Sequence, residues 1–243
     1  MRGGPETGEL DHLQPGERAL LRISHECTLT CPYPERVTWL SIDDPEGPGA
    51  AARATLVLAH GAGGNRDQAM LRLLGVELAQ RGVRTVRIDL PFRRQRPKGP
   101  PSPSGQAADR ASFAETVRLL DVDGPLLWGG HSYGGRMASM AVGEPADGAE
   151  LPDGLVLLSY PLHPPGRPEK ARTAHLPGIE IPTVLVHGKR DPFASPAELA
   201  EAAELITGPT TIVEVAAAHD LAPAKSGAPA RAADAVIALL DAL

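Results

Sequence analysis

Aromatic side chains are scarce in this chain: three Phe, three Tyr and two Trp make up 3% of its 243 residues. Any pocket is therefore expected to be lined by aliphatic and small side chains. No run approaches the ~18 consecutive apolar residues of a membrane span, so a transmembrane segment is not expected. The first ten residues, Met1 to Leu10, contain no apolar segment of secretory type and carry acids early, which makes a cytoplasmic protein the expectation. There are only two cysteines, Cys27 and Cys31, with His25 nearby. On a strand these three would share a face, but structural zinc wants four ligands and the spacing is not that of a redox pair. Two reduced thiols and no metal are the reading. The basic excess of a nucleic-acid-binding protein is also missing, since the net charge is -6 with signs interspersed. Internal repeats are absent.

The length suits one large α/β domain with an ample core. Residues 1–16 are rich in Gly, Pro and acids and read as a poorly ordered tail, leaving 17–243 as the single domain. Two strand-like runs follow the tail, Ala19 to Ser24 and Val37 to Ile42. From Ala54 strands alternate with helices, which predicts a mostly parallel sheet with helices on both faces. The strands are Ala54 to Ala59, Val83 to Leu90, Leu126 onward, Leu155 to Tyr160, Pro182 to Val186 and Thr210 to Val215. Met70, Leu73, Leu74 and Leu78 recur at helical spacing, with Gly82 where such a helix ends. Ser195-Pro196-Ala197-Glu198 reads as a capping box opening a helix to about Leu205, and a last helix carries Val236, Leu239, Leu240 and Leu243. Two long connections, Pro91 to Gly105 and Pro161 to Ile181, leave carboxyl ends of strands. Neither is long enough to form a large cap domain, so an open site is expected.

The run Leu126-Leu127-Trp128-Gly129-Gly130-His131-Ser132-Tyr133-Gly134-Gly135 feeds an apolar strand into Gly-x-Ser-x-Gly and then a helix. This arrangement makes a strained elbow that lifts the Ser132 hydroxyl clear of the sheet, and glycines at 130 and 134 leave room for strand and helix to approach. The pentapeptide needs a base, an acid and an oxyanion site. Asp191 follows the strand ending near Gly188, and His219 follows the strand ending at Val215. The order Ser132, Asp191, His219 is that of the α/β-hydrolase fold. The loop His60-Gly61-Ala62-Gly63-Gly64 after the strand from Ala54 supplies a second donor, so the N–H groups of Ala62 and Tyr133 are the expected oxyanion hole.

Other residues have competing readings. Asp191 precedes Pro192 as a turn aspartate would. His163 is either a contact to substrate or a loop histidine fixed among prolines. Arg93 and Arg94 lie in Arg93-Arg94-Gln95-Arg96-Pro97-Lys98, which either draws a substrate carboxylate or phosphate or is a solvated mobile loop. Arg136 reads as structural and His187 as a core residue; His12, His25 and His175 have no chemical neighbourhood in sequence. A dinucleotide-binding reading would take Gly61-Ala62-Gly63-Gly64 as a phosphate loop and Asp89 as the ribose acid. It lacks the third glycine, where Arg66 stands, and leaves the serine elbow unexplained.

The blocks His60-Gly61-Ala62-Gly63-Gly64, Tyr160-Pro161-Leu162-His163-Pro164-Pro165-Gly166 and Gly188-Lys189-Arg190-Asp191-Pro192-Phe193 carry a resemblance. From about Ala54 to its end the chain resembles the α/β-hydrolase superfamily, and within it the small cap-less hydrolases of the testis-expressed and NSL-complex-subunit group, related to dienelactone hydrolases. The resemblance implies an α/β-hydrolase fold with Ser132, Asp191 and His219 at the triad positions. It marks His163-Pro164-Pro165-Gly166 as a hallmark of the group without giving it a chemical role. Dienelactone hydrolases proper carry cysteine at the elbow, where this chain has Ser132. The expected activity is hydrolysis of a small carboxylic ester, thioester or lactone through an acyl-enzyme, with no cofactor and a small-molecule substrate. The alternative is a catalytically silent binding protein of the same fold. Oligomeric state is not legible.

Overall fold

Runs of Val, Leu and Ile punctuated by Gly, Pro and Asp form the strands of one seven-stranded sheet. The computed structural model describes residues 37–45 and 51–243. Its strands are β1 (Leu40–Asp43), β2 (Ala54–Ala59), β3 (Val83–Ile88), β4 (Leu126–His131), β5 (Gly154–Leu158), β6 (Thr183–Gly188) and β7 (Thr210–Val215), in spatial order β1-β3-β2-β4-β5-β6-β7. All neighbours are parallel except β1, which runs antiparallel to β3 at the edge. Every residue of β2, β5 and β6 is buried, as strands covered on both faces must be.

The alternation of side chains along each strand separates two cores. Leu56 and Leu58 of β2, Leu127 of β4 and Val156 and Leu158 of β5 face one way. There they meet Met70, Leu71, Leu74 and Leu78 of helix α1 (Ala69–Ala79) and Ala232, Val236 and Leu239 of the carboxyl-terminal helix (Ala228–Leu240). Trp128, one residue on from Leu127, faces the other side and stacks on Phe113, with ring centroids 5.5 Å apart. Phe113 belongs to a helix over Gln106–Val117, which packs beside the helix after the elbow, Tyr133–Gly143.

The described parts of the expected architecture are present: the parallel sheet, the helices on both faces and the absence of a large cap. The tail 1–16, the run Ala19 to Ser24 and residues His12, His25, Cys27 and Cys31 lie outside the described residues. The segment from Pro91 to Gly105, expected to be a loop, instead holds helix α2 (Pro91–Gln95) and a 3-10 turn at Pro103–Gly105. Both open on proline, whose fixed φ suits a first helical position. Helix α3 (Gln106–Val117) has no sequence signature because its buried face is Asp109, Ser112, Phe113 and Thr116. The Ser112 and Thr116 hydroxyls bond back to the carbonyls of Asp109 and Ser112 at 2.7 and 2.6 Å, which satisfies them without solvent. By contrast the capping box is formed as expected, with Ser195 and Glu198 bonding each other's backbone N–H at the start of a helix over Pro196–Ala203.

At the elbow, helix α4 (Tyr133–Gly143) lies against the end of β2 at backbone contact distance. A Cβ on Gly130 or on Gly134 would lie 2.4 Å from the carbonyl oxygen of Ala59, whereas one on Gly63 would meet nothing within 4 Å. Gly134→Ala should therefore cost about 2–3 kcal/mol and lower the melting temperature by about 5–10 °C, while Gly63→Ala leaves it unchanged. Thermal unfolding followed by circular dichroism checks both, and an unshifted Gly134→Ala would mean that this contact relaxes freely.

Candidate active site

Ser132 has φ 51° and ψ -113°, a conformation that non-glycine residues adopt only when the surrounding fold forces it. Its N–H donates to the Leu158 carbonyl at 2.8 Å and its carbonyl accepts from Arg136 N–H at 2.9 Å, so the turn is pinned to β5 and to the first turn of α4. The Ser132 hydroxyl lies 2.8 Å from His219 Nε2, and His219 Nδ1 lies 2.8 Å from Asp191 Oδ2. Asp191 is buried; its Oδ1 accepts the Phe193 N–H at 2.9 Å, so neither oxygen is left unpartnered. The Phe193 ring lies 4.2 Å from that of His219, centroid to centroid, and tilted by 33°, which holds the imidazole against the carboxylate. The three residues come from loops after β4, β6 and β7, all at the carboxyl edge of the sheet.

The loop after β2 lies beside them at the point where strand order reverses, between β3 on one side and β4 on the other. A Cβ on Gly61 would be 3.6 Å from that of Ser132. Buried His60 shapes this loop. Its Nδ1 donates to the Gly61 carbonyl at 2.7 Å, and its Nε2 accepts the Leu90 N–H at 3.2 Å, which requires a neutral ring. Burial, the largest influence, lowers its pKa accordingly. Because a peptide is planar and trans, a Gly61 carbonyl turned inward points the Ala62 N–H the opposite way. The Tyr133 N–H is likewise left over at the first helical position of α4. Among the described residues neither N–H has a hydrogen-bond partner. Tyr133 is further anchored by its phenol, which donates to buried Asp109 at 2.7 Å and whose pKa is raised mainly by burial.

Arg93 and Arg94, read from the sequence either as contacts to a substrate anion or as part of a solvated loop, are tied to protein groups. Arg93 is buried, and it donates to the carbonyls of Ala62 and Gly64 at 2.8 Å and of Arg96 and Gly99 at 3.2 Å. Those bonds tie down the loop after β2. Arg94 donates to the Asp89 carbonyl at 2.7 Å, faces Glu115 and stacks on Trp39 at 3.4 Å. His163 has other partners: its Nδ1 donates to the Pro164 carbonyl at 2.9 Å and its Nε2 faces Glu198 at 3.5 Å. Asp89 pairs with Arg66, which also donates its N–H to that carboxylate at 2.8 Å, so it serves the loop rather than a ribose. His187 is fully buried in β6, with Nε2 donating to the Ala194 carbonyl at 2.9 Å. Sequence reasoning passed over Phe193, Asp109, Gln68 and His131. Only Phe193 left a signal, its place two residues after Asp191.

Residues 52–239 match the alpha/beta hydrolase domain family, and the chain belongs to it. Its fold is similar to that of Est1E from Butyrivibrio proteoclasticus, at TM-score 0.64 and 14% identity, covering 83% of this chain and 94% of that one. A dienelactone hydrolase from Anabaena variabilis shares it at TM-score 0.58 and 22% identity, over 81% and 88% of the two chains. So does the type II thioesterase BorB of the borrelidin biosynthetic cluster, at TM-score 0.58 and 17% identity, over 83% and 97%. Among the described residues no helix is long and apolar enough to cross a membrane.

Two more rings are held neutral by burial, His131 and His175, each with its pKa lowered from 6.5 to about 4. In the unfolded chain both titrate normally. Between pH 6.5 and 4 the unfolded state therefore binds more protons, and stability falls as the pH is lowered through that window. The loss should reach about 2 kcal/mol per ring by pH 5. Urea midpoints at pH 7.5 and 5 measure it, and His175→Gln should shrink the difference by that amount; an unchanged difference would show that His175 titrates normally in the folded protein.

Proposed function

We propose that the protein is a serine hydrolase that cleaves a small carboxylic ester, thioester or lactone in the cytoplasm through an acyl-enzyme. The observation that carries this reading is the unbroken line from Ser132 Oγ to His219 to Asp191, with both hydrogen bonds at 2.8 Å. Ser132 attacks the acyl carbon as His219 Nε2 takes its proton. His219 then returns the proton to the leaving group, and water repeats the sequence to release the acid. Asp191 holds the imidazole with Nδ1 protonated and stabilises its charged form. The N–H groups of Ala62 and Tyr133 receive the oxyanion, each worth on the order of 3 kcal/mol in the transition state. Esterase, thioesterase and dienelactone hydrolase are among the names of proteins with this fold, and the resemblance to small cap-less hydrolases related to the last of these points the same way.

The substrate reading follows from charge. A cleft of about 310 Å³ opens beside the oxyanion loop, walled by Ala62, Gly63, Arg93 and the stretch from Pro97 to Pro100. Arg66, Arg84, Arg87 and Arg94 nearby in sequence all meet carboxylates. Arg93 meets carbonyls and the Phe92 ring but no carboxylate among the described residues, so its charge is not cancelled, and exposed Lys98 has no ion pair among them. An anionic group on the substrate suits that wall, with Lys98 as the contact.

Wild type should label with a fluorophosphonate probe and Ser132→Ala should not; Asp191→Asn should lower kcat on a short p-nitrophenyl ester by about 10⁴-fold. Folded wild type that neither labels nor cleaves would overturn the hydrolase reading in favour of a silent binding protein. For the cleft, Lys98→Gln should lower kcat/KM about tenfold for a monoester of succinate and leave the uncharged methyl succinate diester unaffected. Equal losses on both would remove the anion preference.

A further inference from the structure

The two halves of the site, the oxyanion loop after β2 and the His219 loop after β7, are joined by a partly buried line of three hydrogen bonds. Gly61 N–H donates to Gln68 Oε1 at 3.1 Å, Gln68 Nε2 lies 2.9 Å from His131 Nδ1, and His131 Nε2 lies 2.8 Å from the His219 carbonyl oxygen. The donors can be assigned from one end. A backbone N–H can only donate, so Gln68 presents its oxygen to Gly61 and its amide N–H to His131. His131 Nδ1 must then be the acceptor, and its one proton sits on Nε2, where a carbonyl receives it. The order of donation is fixed along the whole line, and each member has one role.

We propose that Gln68 and His131 are positioning residues that set the oxyanion loop and the catalytic histidine at one mutual distance; this rests on the serine-hydrolase reading above. Three independent features fit the role. Gln68 precedes α1, so it is held by the same helix that packs the core. His131 directly precedes Ser132 and is buried, with its ring 5.2 Å from that of His219. The charged and titratable groups facing it are His219, Asp191 and Asp220, and burial outweighs them to keep the ring neutral. A neutral ring is what the line needs, because a proton on Nδ1 would confront the Gln68 amide with a second donor. Space around Gly64 reinforces the fit, since a Cβ there would lie 2.8 Å from Gln68 Oε1.

The two nitrogens of His131 can be replaced separately. His131→Asn keeps an acceptor near Nδ1 for Gln68 and loses the link to His219; His131→Gln keeps a donor near Nε2 and loses the link to Gln68. Each, like Gln68→Leu, should lower kcat on a p-nitrophenyl ester about 10–100-fold with KM within twofold and the melting temperature little changed. Gln68→Leu combined with His131→Asn should be no slower than the worse single variant, because one line can be broken only once. Additive losses, or singles with full kcat, would overturn the proposal. A second readout needs no activity: in wild type, nitrogen NMR should find His131 protonated on Nε2 alone at pH 6–8, and Gln68→Leu should speed exchange of the Gly61 amide. If wild type cleaves nothing, the hydrolase reading falls while the NMR result still decides whether the line exists; a His131 protonated on Nδ1 would overturn it.

Discussion

The site depends on how closely three backbones cross at the elbow. The carbonyl of Ala59, at the end of β2, stands where a side chain at either Gly130 or Gly134 would be, and a Cβ on Gly135 would lie 2.6 Å from the Gly130 carbonyl. With no side chains between them, β2, β4 and the start of α4 approach to contact. That approach leaves the chain no room to turn from strand to helix in an ordinary conformation, and Ser132 takes a positive φ as a result. The strain serves a geometric end. It puts the Ser132 hydroxyl at the carboxyl edge of the sheet with the loop after β2 beside it, which is the convergence of nucleophile and oxyanion donors that the proposed reading needs.

The part of the site made by steric exclusion was legible in the sequence, because only glycine tolerates such crowding and glycines at fixed spacing are visible. Asp191 and His219 were legible because each follows a strand-like run. The residues that hold these groups in place left no such trace. Gln68 is an ordinary polar residue before a helix, and its importance comes from Gly61 and His131, seven and sixty-three positions away. Asp109 and Ser112 sit on a helix whose buried side looks solvent-facing, and a tertiary bond from Tyr133 and a local bond to the helix's own carbonyl reverse that impression. Arg93 misled for a related reason. A basic run among prolines reads as solvated, yet the carbonyls of the loop after β2 need donors, and a guanidinium reaches several at once.

Arginine and histidine thus have opposite uses around the same loop. Arg93 supports it with a permanent charge that carbonyl dipoles accommodate, and His60 supports it with a neutral ring whose two nitrogens play different parts. A charged His60 would have to offer a proton to the Leu90 N–H, two donors face to face. Burial prevents this by making the charged form costly, and the Gly61 carbonyl at Nδ1 with the Leu90 N–H at Nε2 then selects the tautomer.

That logic separates His219 from the other described histidines. His60, His131, His163, His175 and His187 are all buried, each with one nitrogen committed to a carbonyl or hydroxyl partner. His219 keeps 23% of its side chain exposed and has the buried Asp191 carboxylate on one side and a hydroxyl on the other. On the proposed hydrolase reading its Nε2 turns from accepting the Ser132 proton to donating it, while Nδ1 goes on donating to Asp191.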